Sequence, residues 1–155
     1  MSLHVFTVVH VLITVVELVA GALVMLKLMQ GELSGLTSTF LISAGLTSVT
    51  GFLFPFHGIT PADKLGVITL LTTGVAAFAL YCFDLLGGWR RTFVISVVIT
   101  LYFDAFVAVV QSFEKVPALH ALAPTGNELP FAIAQGVVLL MFLYFGFVSL
   151  KRFRL

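Results

Sequence analysis

The sequence predicts an all-α integral membrane bundle of five transmembrane helices, with the N-terminus outside and the C-terminus cytoplasmic. Three observations carry that prediction. First, 60% of the residues are hydrophobic and only 10% are charged, with a mean hydropathy of +1.16. A soluble domain of 155 residues has too much surface for its volume to hide so much apolar area. Second, several runs exceed the roughly 18 apolar residues that mark a membrane span. Third, lysine and arginine gather on one side of the predicted spans. The chain reads as a single domain, residues 1–155, with spans at about 3–28, 36–56, 61–86, 92–113 and 130–150.

Span 1 organises the rest. Along it Thr7, His10, Thr14, Glu17 and Gly21 recur at steps of three and four, so they share one helix face. An imidazole and a carboxylate in an apolar span are costly unless they face protein or trapped water, so the other spans are expected to gather around this stripe. Ala20-Gly21-Ala22 resembles a small-residue cleavage site, but no Lys or Arg precedes the apolar run, and the segment reads as a retained span. It ends at Lys27, with Gly31 and Gly35 beyond.

Span 2 carries Thr37, Ser38, Ser43, Thr47, Ser48 and Thr50, hydroxyls able to bond back to their own helix carbonyls. Ala44 and Ser48 form a small-residue pair one turn apart, which predicts dense packing. Pro55 ends the span, and Thr60-Pro61-Ala62-Asp63 restarts a helix with Thr60 as cap and Pro61 in its first turn. Span 3 stops at Gly87-Gly88 and contains the single cysteine, Cys82, read as an inert packing residue. One cysteine excludes an intrachain disulfide and a CxxC redox or zinc motif.

Span 4 bears a second polar stripe of Ser96, Thr100, Asp104 and Gln111. The connection from Glu114 to Leu129 is long and predicts a short interfacial helix around residues 116–122. Thr125 and Glu128 fit a capping box, Pro130 opens span 5, and Gln135 sits in its second turn. No internal repeat is evident, so an inverted-repeat transporter finds no support.

Five spans put the termini on opposite sides. One side holds Lys27, Arg90, Arg91, Lys151, Arg152 and Arg154; the other holds only Lys64 and Lys115. The positive-inside rule assigns the first side to the cytoplasm. All five prolines and His4, His10, His57 and His120 then fall on the outer half. Specific activity is expected at or just below the outer face.

His10 lies roughly 10 Å below the outer interface at about 1.5 Å per residue, and Asp104 roughly 12 Å below it in a core of about 30 Å. The matched depths predict that the two meet if spans 1 and 4 are neighbours. Gln111 and Gln135 sit above them and Glu17 about 10 Å deeper than His10. The functional reading is a polar cavity opening outward that shares a proton or binds a ligand; the structural one is an interhelical hydrogen bond. His57, Asp63, His120 and His10 carry donors that suit zinc or copper, but their spacing matches no metal motif and no metal is assigned. Only His10 is inside a span, which argues against bis-histidine haem. The Phe52/Phe54/Phe56 segment reads as an aromatic belt, with stacking on a quinone or lipid headgroup as the other reading. There is no nucleotide loop, catalytic triad or HExxH.

Thr47-Ser48-Val49-Thr50-Gly51-Phe52-Leu53-Phe54-Pro55, Gln111-Ser112-Phe113-Glu114-Lys115-Val116-Pro117-Ala118-Leu119 and Leu122-Ala123-Pro124-Thr125 resemble a group of small, functionally uncharacterised bacterial inner-membrane proteins. The resemblance covers most of the chain from His10 to span 5. It implies a bacterial multi-span protein and brings no activity with it. In that group positions 17, 63 and 104 carry a small residue, histidine and asparagine, so Glu17 and Asp104 are departures here.

The leading expectation is a non-enzymatic binding or accessory module that holds a lipophilic small molecule or a partner subunit at the outer face. Its contacts are His10, Asp104, Gln111 and Gln135, with Glu17 deeper, His57 and Lys115 at the mouth, and loop 114–129 as a lid. A small, oligomeric proton-coupled transporter using Glu17 and Asp104 is the second reading, and a quinone- or haem-linked oxidoreductase the third. The bilayer is the one partner composition demands. A homo-oligomer or partner membrane subunit stays open, nucleic acid is not expected, and no cofactor is specified.

Overall fold

A computed structural model describes residues 2–55 and 61–154. Among these residues there are six helices and no strand: α1 (Leu3–Gln30), α2 (Thr37–Phe52), α3 (Pro61–Tyr81), α4 (Trp89–Lys115), α5 (Pro117–His120) and α6 (Leu129–Arg152). The molecule is an all-helical, multi-pass membrane protein in which four helices, α1, α3, α4 and α6, are long and apolar enough to cross a bilayer. Their outward side chains suit lipid: Leu12, Leu71 and Leu143 are 60%, 65% and 62% exposed. The fifth long helix, α2, has 16 residues, or about 24 Å at 1.5 Å per residue, short of a core about 30 Å thick.

The local chemistry explains most boundaries. The Ser2 hydroxyl accepts a hydrogen bond from Val5 N–H at the start of α1. At its end Gly31 takes the left-handed conformation (φ 89°), so that its own N–H and that of Glu32 close onto Leu28 and Lys27 carbonyls. A Cβ at Gly31 would stand 2.9 Å from the Arg152 carbonyl, so this turn also lets the end of α6 come close. In α2, Ser43 and Thr50 hydroxyls donate to Thr39 and Leu46 carbonyls at 2.7 Å, as their type suggests. The expected short helix past α4 is present as α5, opened by Pro117.

Three expectations are corrected. The third helix ends at Tyr81, not near Leu86, because Asp84 and Leu85 adopt positive φ (46° and 59°) and turn the chain. That turn inserts Leu85 into the core, 4% exposed, and stacks Phe83 on Trp89 at 4.1 Å. Cys82 therefore lies beyond the helix and is exposed, not packed inside a span. Thr125 and Glu128 do pair, but in the turn before α6, whose N-cap is Glu128 itself. The expected cap Thr60 lies outside the described residues.

The helices form a ring in the order α1, α2, α3, α4, α6, with α1 also touching α4 across it. The core is strongly one-sided. Val24, Leu28, Phe40, Ala44, Ala76, Ala79, Phe93, Val97 and Phe153 are all fully buried. They come from the C-terminal halves of α1 and α3, the N-terminal halves of α2 and α4, and the stretch just past α6. This is the end that carries the basic residues. There Arg90 Nη1 donates to the Phe153 carbonyl, Arg152 Nη1 to the Met29 carbonyl at 3.4 Å, and Lys27 pairs with Glu32 at 2.7 Å. At the opposite end every residue from Tyr102 to Ser112 is part-exposed, although α4 has neighbours on several sides.

Candidate functional site

The boundary between the packed and loose halves is where the polar stripes converge. Gly21 sets the geometry. A Cβ there would lie 2.5 Å from Leu101 Cδ1 and 2.9 Å from the Phe40 ring, so α1 can approach α4 and α2 this closely only without a side chain. Glu17 stands one helical turn before Gly21, and Asp104 three residues after Leu101. The approach therefore presses the two carboxyls towards each other. Ala44 and Ser48, 0% and 6% exposed, keep α2 close, and Thr47 of the same helix turns its hydroxyl to Glu17.

Glu17 is 0% exposed. Asp104 and Thr47 are the polar groups that face it. Two ionised carboxylates are both acceptors and cannot bond each other, and both Glu17 oxygens, Asp104 Oδ2 and Thr47 Oγ1 are buried with no hydrogen-bond partner. Unsatisfied buried oxygens are rare in folded proteins and mark either an unfilled requirement for donors or a reservoir of strain. Here they cluster at one point, contributed by three helices. No lysine, arginine or histidine side chain is bonded to either carboxyl among the described residues.

The expected partner of Asp104, His10, is held elsewhere. Its Nδ1 lies 2.7 Å from Thr50 Oγ1, its ring sits edge-on to Phe54 at 5.2 Å, and Thr14 Oγ1 donates to its carbonyl at 2.9 Å. Thr50 Oγ1 also lies 2.7 Å from the Leu46 carbonyl, so its hydroxyl joins the ring to its own helix backbone. Sequence depth placed Asp104 level with His10, but the α1–α4 contact at Gly21 and Leu101 brings it level with Glu17. Lys115 is exposed at the end of α4 and acts electrostatically on His10.

The two glutamines do not join this pair directly. Gln135 Nε2 donates to the Phe106 carbonyl at 3.1 Å, pinning α6 to α4, and its buried Oε1 has no partner. Gln111 Nε2 reaches Glu114 at 3.4 Å, two turns beyond Asp104. His57 lies outside the described residues. Phe54, part of the expected aromatic belt, packs inward on Phe6 at 4.8 Å as well as on His10.

Thr47 is the residue that the sequence reading grouped with the hydroxyls bonding back to their own helix and did not place in the site. Its spacing from Ala44 and Gly51 put it on the small-residue face of α2, and that was the available signal.

A separate cavity of about 270 Å³ opens beneath the loop after α5, between Val110, Glu114, His120, Pro124 and Phe131. The loop is braced by Glu128, which accepts from the N–H and hydroxyl of Thr125 and the N–H of Asn127. Desolvation, the largest single influence, pushes the Glu128 carboxyl up, but the hydrogen bonds together outweigh it and hold the group below its ordinary value. No group of three His, Cys, Asp or Glu side chains able to hold a metal occurs among the described residues.

No protein-family model, curated protein or solved structure matches the chain.

Proposed function

We propose that this chain is a five-span protein of a bacterial inner membrane, with its C-terminal end in the cytoplasm, that holds a lipophilic small molecule in the outer half of its bundle. The observation that supports this most is the one-sided core. Below Glu17 and Asp104 the inward side chains of α1, α2, α3 and α4 include fully buried ones, whereas above them every residue of α4 from Tyr102 to Ser112 is part-exposed. A membrane interior does not leave such gaps empty; lipid, ligand or water fills them.

The chemistry of the part-exposed stretch of α4 and of Gln135 beside it describes the occupant. Tyr102, Phe103 and Phe106 offer apolar and aromatic area, while Asp104 Oδ2 and Gln135 Oε1 are acceptors in want of donors. A molecule with an apolar body and a polar end that donates hydrogen bonds fits both requirements; a quinol or a lipophilic amine has that chemistry. The loop over the cavity near Glu114 and His120 would act as its lid. Support for α2 as the fifth span comes from its place between α1 and α3, and support for the orientation from the six cations against two.

Native mass spectrometry of gently extracted protein, with lipid analysis of the same sample, tests the reading. A stoichiometric lipophilic species that is lost in Asp104→Ala is the expected result. An empty protein whose Asp104→Ala variant is equally stable and equally empty would refute it. Impermeant labelling of engineered sites near each end tests the topology.

A further inference from the structure

We propose that Glu17 and Asp104 form a binding site for a proton that reaches it from the outer side alone. This goes beyond ligand holding and does not depend on it.

The argument begins with charge. Two carboxyls face each other in the middle of the bundle, one of them wholly buried, and neither oxygen of Glu17 has a donor. The groups around them supply no compensating cation. From α2 comes the Thr47 hydroxyl and from α4 Asp104 itself. On α1 the next ionisable group is His10, two turns away and bonded to Thr50. On α6 Gln135 is neutral and the cations Lys151 and Arg152 stand at the far end, while on α3 Asp63 and Lys64 lie in the first turn. Two like charges without a cation cannot both persist at this depth. The lightest group that relieves them is a proton, bound as O–H on one carboxyl and donated to the other. A second proton makes the pair neutral. Sodium shares this oxygen chemistry, with the Thr47 hydroxyl as a further ligand, and the test separates the two.

The packing then dictates the route. Towards the basic end, Gly21, Leu101 and Phe40 close in van der Waals contact, and Val24, Val97, Leu28, Phe93 and Phe153 follow with no exposure. Arg90 ties the last layer shut through the Phe153 carbonyl. Water has no path there. Towards the other end, Thr14, His10, Thr47 and Thr50 are all part-exposed and set hydroxyl and imidazole groups beside and beyond Glu17. His10, whose Nδ1 lies 2.7 Å from Thr50 Oγ1, is the titratable group nearest Glu17 on that side of α1.

The test is infrared difference spectroscopy of the full chain in lipid nanodiscs during a pH titration. The wild type should show a carboxyl C=O band that disappears on adding base, and Glu17→Gln and Asp104→Asn should each abolish or displace it. Identical difference spectra in wild type and both variants would overturn the proposal. A spectrum that answers to sodium at fixed pH, and not to pH, would overturn the proton and give the site to sodium. Should Glu17→Gln fail to fold, Asp104→Asn and Thr47→Val, which retain Glu17, carry the same comparison.

Direction is read separately. In a Cys82→Ser background, Thr14→Cys should react with an impermeant thiol reagent added outside and not inside, while Val97→Cys should resist both. Reaction of Thr14→Cys from the cytoplasmic side would overturn one-sided access. An empty protein in the mass spectrometer would remove the lipophilic ligand and leave both of these results standing.

Discussion

Replacing Gly21 with alanine should destabilise the protein by about 2 kcal/mol, within the roughly 1–3 kcal/mol typical of overpacking a filled interior. The added Cβ would lie 2.5 Å from Leu101 Cδ1 and 2.9 Å from two carbons of the Phe40 ring. The leucine tip can rotate away, but the Phe40 ring is 0% exposed and has no free volume to enter. The helices must therefore separate by several tenths of an ångström, loosening the contact that sets Glu17 against Asp104. In a helix the same change ordinarily stabilises by roughly 0.5–1 kcal/mol, so the sign of the effect carries the information. Gly45→Ala and Gly74→Ala are the controls, because a Cβ at either meets nothing within 4 Å. The assay is reversible unfolding in mixed micelles with increasing SDS. Gly21→Ala should lose roughly 30-fold in its folded-to-unfolded ratio, while the controls hold or gain. A Gly21→Ala protein as stable as Gly45→Ala would refute the close approach of α1 and α4.

Gly31→Ala should cost at least the roughly 1–2 kcal/mol of a left-handed residue with a side chain, plus a clash with the Arg152 carbonyl at 2.9 Å, seen as a lowered unfolding midpoint. Thr100→Val removes the 2.7 Å hydroxyl contact with Thr72 between α4 and α3 and should cost about 0.5–1.5 kcal/mol in the same assay. Glu128 has a folded-state value below its ordinary 4.5, so the order it gives the loop is present above 4.5 and lost as pH falls through the lowered value. A spin label at Asn127→Cys should accordingly become mobile at acid pH, whereas Glu128→Gln should be mobile throughout; a label indifferent to pH would sink the brace.

What could be read in the sequence followed from period and punctuation. The steps of three and four that put His10, Glu17 and Gly21 on one face survive as an inward stripe, and Pro117 and Pro130 do open helices. What could not be read was relative height. Placing His10 opposite Asp104 assumed that each helix begins level with the membrane surface, whereas the level is set by where the helices touch, at Gly21, Leu101 and Phe40. Those contacts depend on helix tilt, which no single span encodes. The early end of α3 was hidden for a different reason. Leu85 is not a residue that announces positive φ, and the burial of its side chain and the Phe83–Trp89 stack favour that turn.

The uneven core has a mechanical meaning. Helices locked together at the basic end and loosely joined at the other resemble tweezers, with their pivot in the buried layers from Phe40 to the Phe93–Phe153 contact. Thermal energy would be spent mostly in rocking the free tips, and the amplitude would grow along α4 and α6 with distance from the pivot. Backbone amides near Phe93 and Phe142 should then exchange with solvent slowly, and those near Val110 and Phe131 quickly. Closing such a device needs no hinge residue and no unfolding, because leverage from a rigid base does the work.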